Sequence, residues 1–270
     1  MKNKLLYIQL FLTFIITWGC WITAWCLLKE GIVNTSNPIY LSLFGIGGAF
    51  GPGLATWLVL RIAKDKNSYK NYISSLIKWR VNILWYILPF AVYIGVPFLS
   101  SLLVNFINVG NPISLKIQPL YMLIMYFPIM IIGGGLEELG WRGFVLPELL
   151  KSFSPIISSL ILGVIWAIWH LPLFYLLPHT SQYAMNFPFY LCGVIGITFM
   201  MTWVYIKTQS TLLSIIYHAA FNSVFSIGFS TLVTDKVTTF NGIVVVVHIV
   251  LGIVLLFRTQ RHAAVSNHSC

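Results

Sequence analysis

Eight mostly apolar stretches recur along the chain, at residues 5–28, 39–62, 82–107, 119–136, 155–177, 187–206, 211–230 and 241–257. A hydrocarbon core about 30 Å thick takes about 20 apolar residues per helix, so each stretch is long enough, or nearly so, to cross a bilayer. Composition agrees: 58% of residues are hydrophobic and 8% charged, with mean hydropathy +0.87, more apolar surface than a water-soluble core uses. The expected fold is all-α: a polytopic integral membrane bundle of about eight transmembrane helices, one membrane domain over residues 1–270. The fourth and seventh stretches have the least definite ends, which leaves seven spans as the alternative count.

Basic loops stay on the cytoplasmic side of a membrane. Eight spans place Lys2, Lys4, Arg61, Lys64, Lys66, Lys70, Lys78, Arg80, Arg142, Lys151, Lys207, Arg258 and Arg261 on one side, and Lys29, Lys116 and Lys236 on the other. Both termini are therefore expected to be cytoplasmic, in a multi-pass protein of the cell (plasma) membrane. The formal charge of +10 needs no cause beyond this asymmetry, and no soluble basic module marks a nucleic-acid partner. The first stretch follows Lys2 and Lys4 but is far longer than a signal-peptide core and lacks a small-x-small cleavage site, so it reads as a retained helix. Cysteines 20, 26 and 192 lie in apolar runs and give neither a disulfide framework nor zinc spacing.

Between Lys64 and Arg80, Tyr69, Tyr72, Ile73, Leu76 and Ile77 recur at near-helical spacing among lysines, which predicts a short interfacial helix; a solvated basic loop is the alternative. Gly45, Gly47, Gly48, Gly51 and Gly53 crowd the second span. With no preceding strand and no Lys-Ser/Thr after them, they suit close helix packing rather than phosphate binding. Gly133 to Gly135 serve either close packing or a break that tilts the next segment into the bundle.

That next segment, Leu136-Glu137-Glu138-Leu139-Gly140-Trp141-Arg142, holds two of the chain's six acidic residues and an arginine beside a long apolar run. On a helix, Glu138 and Arg142 are four apart and share a face, so they can neutralise each other. Glu137 is rotated about 100° away and is left free to titrate. A juxtamembrane salt-bridge cluster at the cytoplasmic end of the fourth span is the plain alternative. Against it stand His170, deep in the fifth stretch, and His218 and Asn222, four apart on one face of the seventh with two alanines between them. Ionisable groups inside a membrane are costly and face a partner or a wet cavity. The expectation is that Glu137, His170, His218 and Asn222 converge within a few hydrogen-bond lengths. Counting 1.5 Å per residue from the run edges runs against it, with Glu137 near the cytoplasmic border and His170 about 22 Å inside.

Together these residues resemble a family: the type II CAAX prenyl endopeptidases and their prokaryotic relatives, the CAAX protease and bacteriocin-processing (CPBP, or Abi) membrane proteins. E-E-x-x-x-R stands as Glu137 to Arg142, an aromatic residue four before His as Trp166 and His170, and H-x-x-x-N as His218 and Asn222. The resemblance covers about residues 120 to 225, the expected catalytic core, and Gly51-Pro52 also looks like the family. It implies an intramembrane endopeptidase, a hydrolase, with a conical cavity open toward the cytoplasm and lipid. Glu137 and His170 would activate water, His218 and Asn222 would hold the oxyanion, and Glu138, Arg142 and Trp166 would support them.

No cofactor is favoured. The zinc-protease pattern H-E-x-x-H is absent, yet Glu137, His170 and His218 would be the ligands of a zinc ion were the enzyme metal-dependent. The implied partner is a membrane-associated peptide or protein, lipidated or not, with CAAX-type or bacteriocin and peptide processing as the candidate roles. A non-proteolytic membrane immunity or scaffold protein of the same fold is the alternative function. A transporter would more often show two related halves, which are not evident.

Overall fold

Prolines and short polar side chains set where the apolar runs begin as helices. In the computed structural model, which describes residues 2–107, 117–229 and 237–268, α1 spans Lys2–Lys29, α2 Pro38–Ala63, α3 Lys66–Leu76, α4 Leu84–Ile107 and α5 Met122–Leu150. They are followed by α6 at Pro155–Trp169, α7 at Leu171–Tyr175, α8 at Phe187–Thr208, α9 at Thr211–Gly228 and α10 at Val237–His268. Asn37, Asp65, Ser154, Asn186 and Ser210 accept backbone N–H groups at the starts of α2, α3, α6, α8 and α9, satisfying donors that a helix leaves open. No strand occurs among the described residues. The end of the seventh stretch at residue 230, and Lys116 and Lys236, lie outside them.

Seven of these helices are long and apolar enough to cross a membrane: α1, α2, α4, α5, α8, α9 and α10. The expected fifth span, 155–177, is divided. Its helix ends at Trp169, and Pro172, in the first turn of α7, supplies no N–H to continue the ladder. The protein is thus a multi-pass helical membrane bundle with an eighth, shorter apolar helix of 15 residues.

The expected end of the fourth span at residue 136 is displaced furthest. The helical segment runs on to Leu150, because the charges taken as its boundary are buried: Glu138 and Arg142 are both fully enclosed, with Trp141, Val145 and Leu146 around them. Arg142 therefore belongs inside the bundle and not to a cytoplasmic loop. Glu137 lies 13 residues before Leu150, about 20 Å along the axis, so the mismatch in depth with His170 disappears. α5 is interrupted at Gly134, continues as a 3₁₀ turn at Gly135–Glu137, and widens into a π-type turn at Trp141–Val145.

Close backbone approaches fix the neighbouring helices. Thr17 donates to the Gly47 carbonyl at 2.6 Å, and a Cβ at Gly51 would fall 2.2 Å from Thr17 Oγ1, so the second-span glycines do serve packing, against α1. At Gly140 a Cβ would meet the Pro52 backbone at 2.6 Å, which puts α2 and α5 in main-chain contact beside Glu137.

The bundle has two distinguishable ends. At one, Ser75 and Thr211 share a hydrogen bond of 2.9 Å, Ser210 donates to the Lys78 carbonyl at 2.7 Å, and Tyr72 rests on Gly143. These contacts dock α3, the helix expected between Lys64 and Arg80, onto α5 and α9 and leave Lys66 and Lys70 exposed. At the other end, the Tyr40 hydroxyl bonds to His179, and Gln118 N–H donates to the Ile227 carbonyl at 2.8 Å.

Candidate active site

Three helices, one of them broken at Gly134, bring the polar side chains together. α5 contributes Glu137, Glu138 and Arg142, α6 contributes Trp166 and ends at His170, and α9 contributes His218 and Asn222. Glu137, His170, His218 and Asn222 all line one cavity of about 1270 Å³, whose walls are mostly apolar. Each of the four thus borders the same space.

Glu138 and Arg142 form the predicted ion pair, with Arg142 Nη1 at 2.8 Å and 2.9 Å from the two carboxylate oxygens. The guanidinium also lies over the Trp166 ring, 4.6 Å from its centroid, so a second face of the charge is covered. Glu138 has a further role that its position in the sequence gave no sign of. Its Oε1 stands 2.9 Å from His218 Nδ1. A carboxylate paired with Arg142 can only accept, so Nδ1 carries the hydrogen and Nε2 is the nitrogen left for the cavity.

The other imidazole is fixed by main chain. His170 Nδ1 lies 2.8 Å from the Trp166 carbonyl, and a carbonyl also only accepts, so Nδ1 again donates and Nε2 keeps a lone pair. Trp166 holds the free carboxylate too: its indole N–H donates to Glu137 Oε2 at 2.9 Å, leaving Oε1 unengaged by this bond. One tryptophan thus meets Glu137, Arg142 and both imidazoles, its ring 5.1 Å from that of His218 and 6.0 Å from that of His170.

Gly134 explains why α5 breaks beside the carboxylates. A Cβ there would lie 2.4 Å from Asn222 Nδ2 and 3.1 Å from His218 Nε2. The glycine leaves room for the amide and the imidazole to stand together at the cavity floor.

Three further side chains reach this cavity without having been legible beforehand. Tyr190 packs edge-on against His170 with centroids 5.5 Å apart. His248, on α10, stacks on Tyr93 of α4 at 5.9 Å, and neither its Nε2 nor the Tyr93 hydroxyl has a partner among the described residues. A lone histidine in the last apolar run was the only signal of this pair.

No group of three His, Cys, Asp or Glu side chains among the described residues is spaced to hold a metal ion. The Glu137, His170 and His218 set does not meet that spacing.

Residues 119–224 match the family model described as type II CAAX prenyl endopeptidase Rce1-like. Over 229 residues, 78% of this chain and 80% of the relative, the chain is 23% identical to CAAX prenyl protease 2 of Methanococcus maripaludis. The matched segment contains every side chain of the cluster from Glu137 to Asn222. Through that segment the chain is similar to the Rce1-like family of type II CAAX prenyl endopeptidases.

Proposed function

We propose that the protein is an intramembrane endopeptidase that hydrolyses a peptide bond of a membrane-associated substrate, with Glu137 and His170 activating water and His218 and Asn222 stabilising the oxyanion. The observation that carries this reading is the shared cavity: a carboxylate, two imidazoles and an amide from three helical segments face one space. A purely structural network would leave such groups paired with one another. Here His170 Nε2, His218 Nε2 and Asn222 Nδ2 are the atoms left over.

The proton inventory fits hydrolysis. Glu138 and Arg142 cancel, so the remaining charge balance is shared by Glu137 and His218. With Glu137 ionised and His218 protonated the cluster is neutral, and it is equally neutral with the proton moved to the carboxyl. A buried site tolerates both arrangements, because neither leaves an uncompensated charge. In the first, His218 Nε2–H and the Asn222 amide are both donors, suited to a carbonyl oxygen becoming an oxyanion. Glu137 takes a proton from water as the oxygen attacks, with the His170 lone pair orienting the other O–H, and returns that proton to the leaving amine. Each oxyanion donor in such sites is worth about 2.7 to 4 kcal/mol at the transition state.

The apolar walls suit a substrate delivered with or by the bilayer, a lipidated segment included. The test compares peptides in membranes from cells expressing the wild-type protein and Glu137→Gln at equal levels. Fragments present only with the wild type identify the substrate. A fragment profile identical in both, with the variant folded, sinks the proposal.

A further inference from the structure

We infer that the cavity is reached from the extracytoplasmic side of the membrane, so that its substrates are peptide segments presented at that face or in that leaflet. The inference takes its substrate class from the peptidase reading, but its test does not depend on catalysis.

Two independent observations meet here. The first is where the cavity lies. Its walls come from the first halves of α2, α8 and α10, at Gly45, Tyr190 and Val244 for example, and from the second half of α9 at Phe225. Ser181 and Asn186, in the connection between α7 and α8, extend it to the bundle end where Tyr40 meets His179. No lining residue comes from α3 or from the connections that follow α5 and α8. The catalytic candidates form the floor in the middle of the bundle, and the cavity extends from them toward one end.

The second is the distribution of charge. Of the 16 Lys and Arg residues, Arg142 is buried within the bundle, Lys29 closes α1 at the cavity's end, and Lys116 and Lys236 lie outside the described residues. The remaining twelve, among them Arg61, Lys64, Lys70, Arg80, Lys151 and Lys207, belong to the opposite end. Moving Arg142 from a loop to the interior leaves this bias intact. Short connections rich in Lys and Arg are retained in the cytoplasm during insertion. The cavity and the basic end are therefore on opposite sides, which places its mouth outside and reverses the cytoplasmic opening that the family resemblance implies.

The experiment places single cysteines in the full chain after Cys20, Cys26, Cys192 and Cys270 are replaced by serine. Ser181→Cys samples the cavity wall, Ser36→Cys a second exposed position at the same end, and Ser74→Cys the exposed face of α3 at the other. Intact cells are treated with a membrane-impermeant sulfonated maleimide, then compared with permeabilised cells. The expected result is labelling at Ser181→Cys and Ser36→Cys in intact cells and loss of labelling at Ser74→Cys until the membrane is opened. Labelling of Ser74→Cys in intact cells, or protection of the other two until permeabilisation, overturns the inference. Should Ser181→Cys fail to fold, Ser36→Cys reports the same end. If labelling is as expected but no Glu137-dependent fragment appears, the peptidase reading falls and the side of access stands.

Discussion

Glu138 Oε1 lies 2.9 Å from His218 Nδ1 and 2.8 Å from Arg142 Nη1, so one carboxylate both neutralises a guanidinium on its own helix and sets the tautomer of an imidazole on another. The histidine's cavity-facing nitrogen is thereby chosen by a residue that does not itself line the cavity.

Glu138→Gln should therefore act on two measurable quantities. It leaves Arg142 enclosed without a countercharge, a change that destabilises by about 3–5 kcal/mol in comparable buried pairs. It also frees His218 to adopt the other tautomer, so turnover should fall even in the folded fraction. Thermal unfolding in detergent, read beside cleavage per folded molecule, checks both; wild-type stability would refute the first.

Asn222→Ala should lower kcat about 10²- to 10³-fold with little change in KM, because an oxyanion donor acts on the transition state more than on the bound substrate. An increase confined to KM would make Asn222 a binding residue instead.

Gly134→Ala tests the same corner by crowding it. The added methyl would sit 2.4 Å from Asn222 Nδ2, so the amide must move. Activity should fall toward that of Asn222→Ala while the unfolding temperature changes little, since the clash is with a side chain at the edge of a cavity. Rescue of activity in the double variant with Asn222→Gly would not be expected, because the donor stays absent.

Dialysis of the purified protein against a strong chelator should leave activity in place, with metal analysis run alongside. Loss of activity restored by added zinc would assign Glu137, His170 and His218 to a metal and replace the glutamate-type scheme.

Acid should loosen the segment that carries the cavity wall between α7 and α8. His179 lies outside the spans, and its ring, set against Tyr40 and Phe44, has lost water, which holds its pKa below the ordinary 6.5. A depressed histidine pKa means the open form binds protons more readily, so the closed arrangement is favoured above about pH 6.5 and is weakened as pH falls below it. Amide exchange over residues 178–186, corrected for intrinsic rates, should accelerate between neutral pH and pH 5, and Tyr40→Phe should flatten that dependence.

The bundle was legible because periodicity and length speak directly of a bilayer, and the pairing of Glu138 with Arg142 followed from helical spacing alone. The span edges were not. Glu137 was assigned to a membrane border because charge usually ends an apolar run, whereas here the charges cancel within the helix and the apolar residues from Trp141 to Leu149 carry it onward. The division of residues 155–177 at His170 was hidden for the opposite reason: the run stays apolar, and only Pro172 interrupts its hydrogen bonding.

Contacts between distant segments left the faintest trace. His218 and Glu138 are 80 positions apart, and nothing in either motif says that they touch. The stacking of His248 on Tyr93 joins two helices that share no sequence pattern, both of them outside the matched segment. Such pairs depend on how helices cross, which composition along one helix does not encode.

The bidentate bond between Glu138 and Arg142 spans one turn of a single helix, and this bears on how the protein is made. A nascent segment bearing an unpaired arginine partitions poorly from the translocon into lipid, whereas an arginine already joined to a carboxylate adds no net charge of its own. α5 can close its ion pair before any later helix has been synthesised, while His218 can reach Glu138 only after α9 emerges. Order of synthesis thus separates the part of the cluster that permits insertion from the part that awaits assembly.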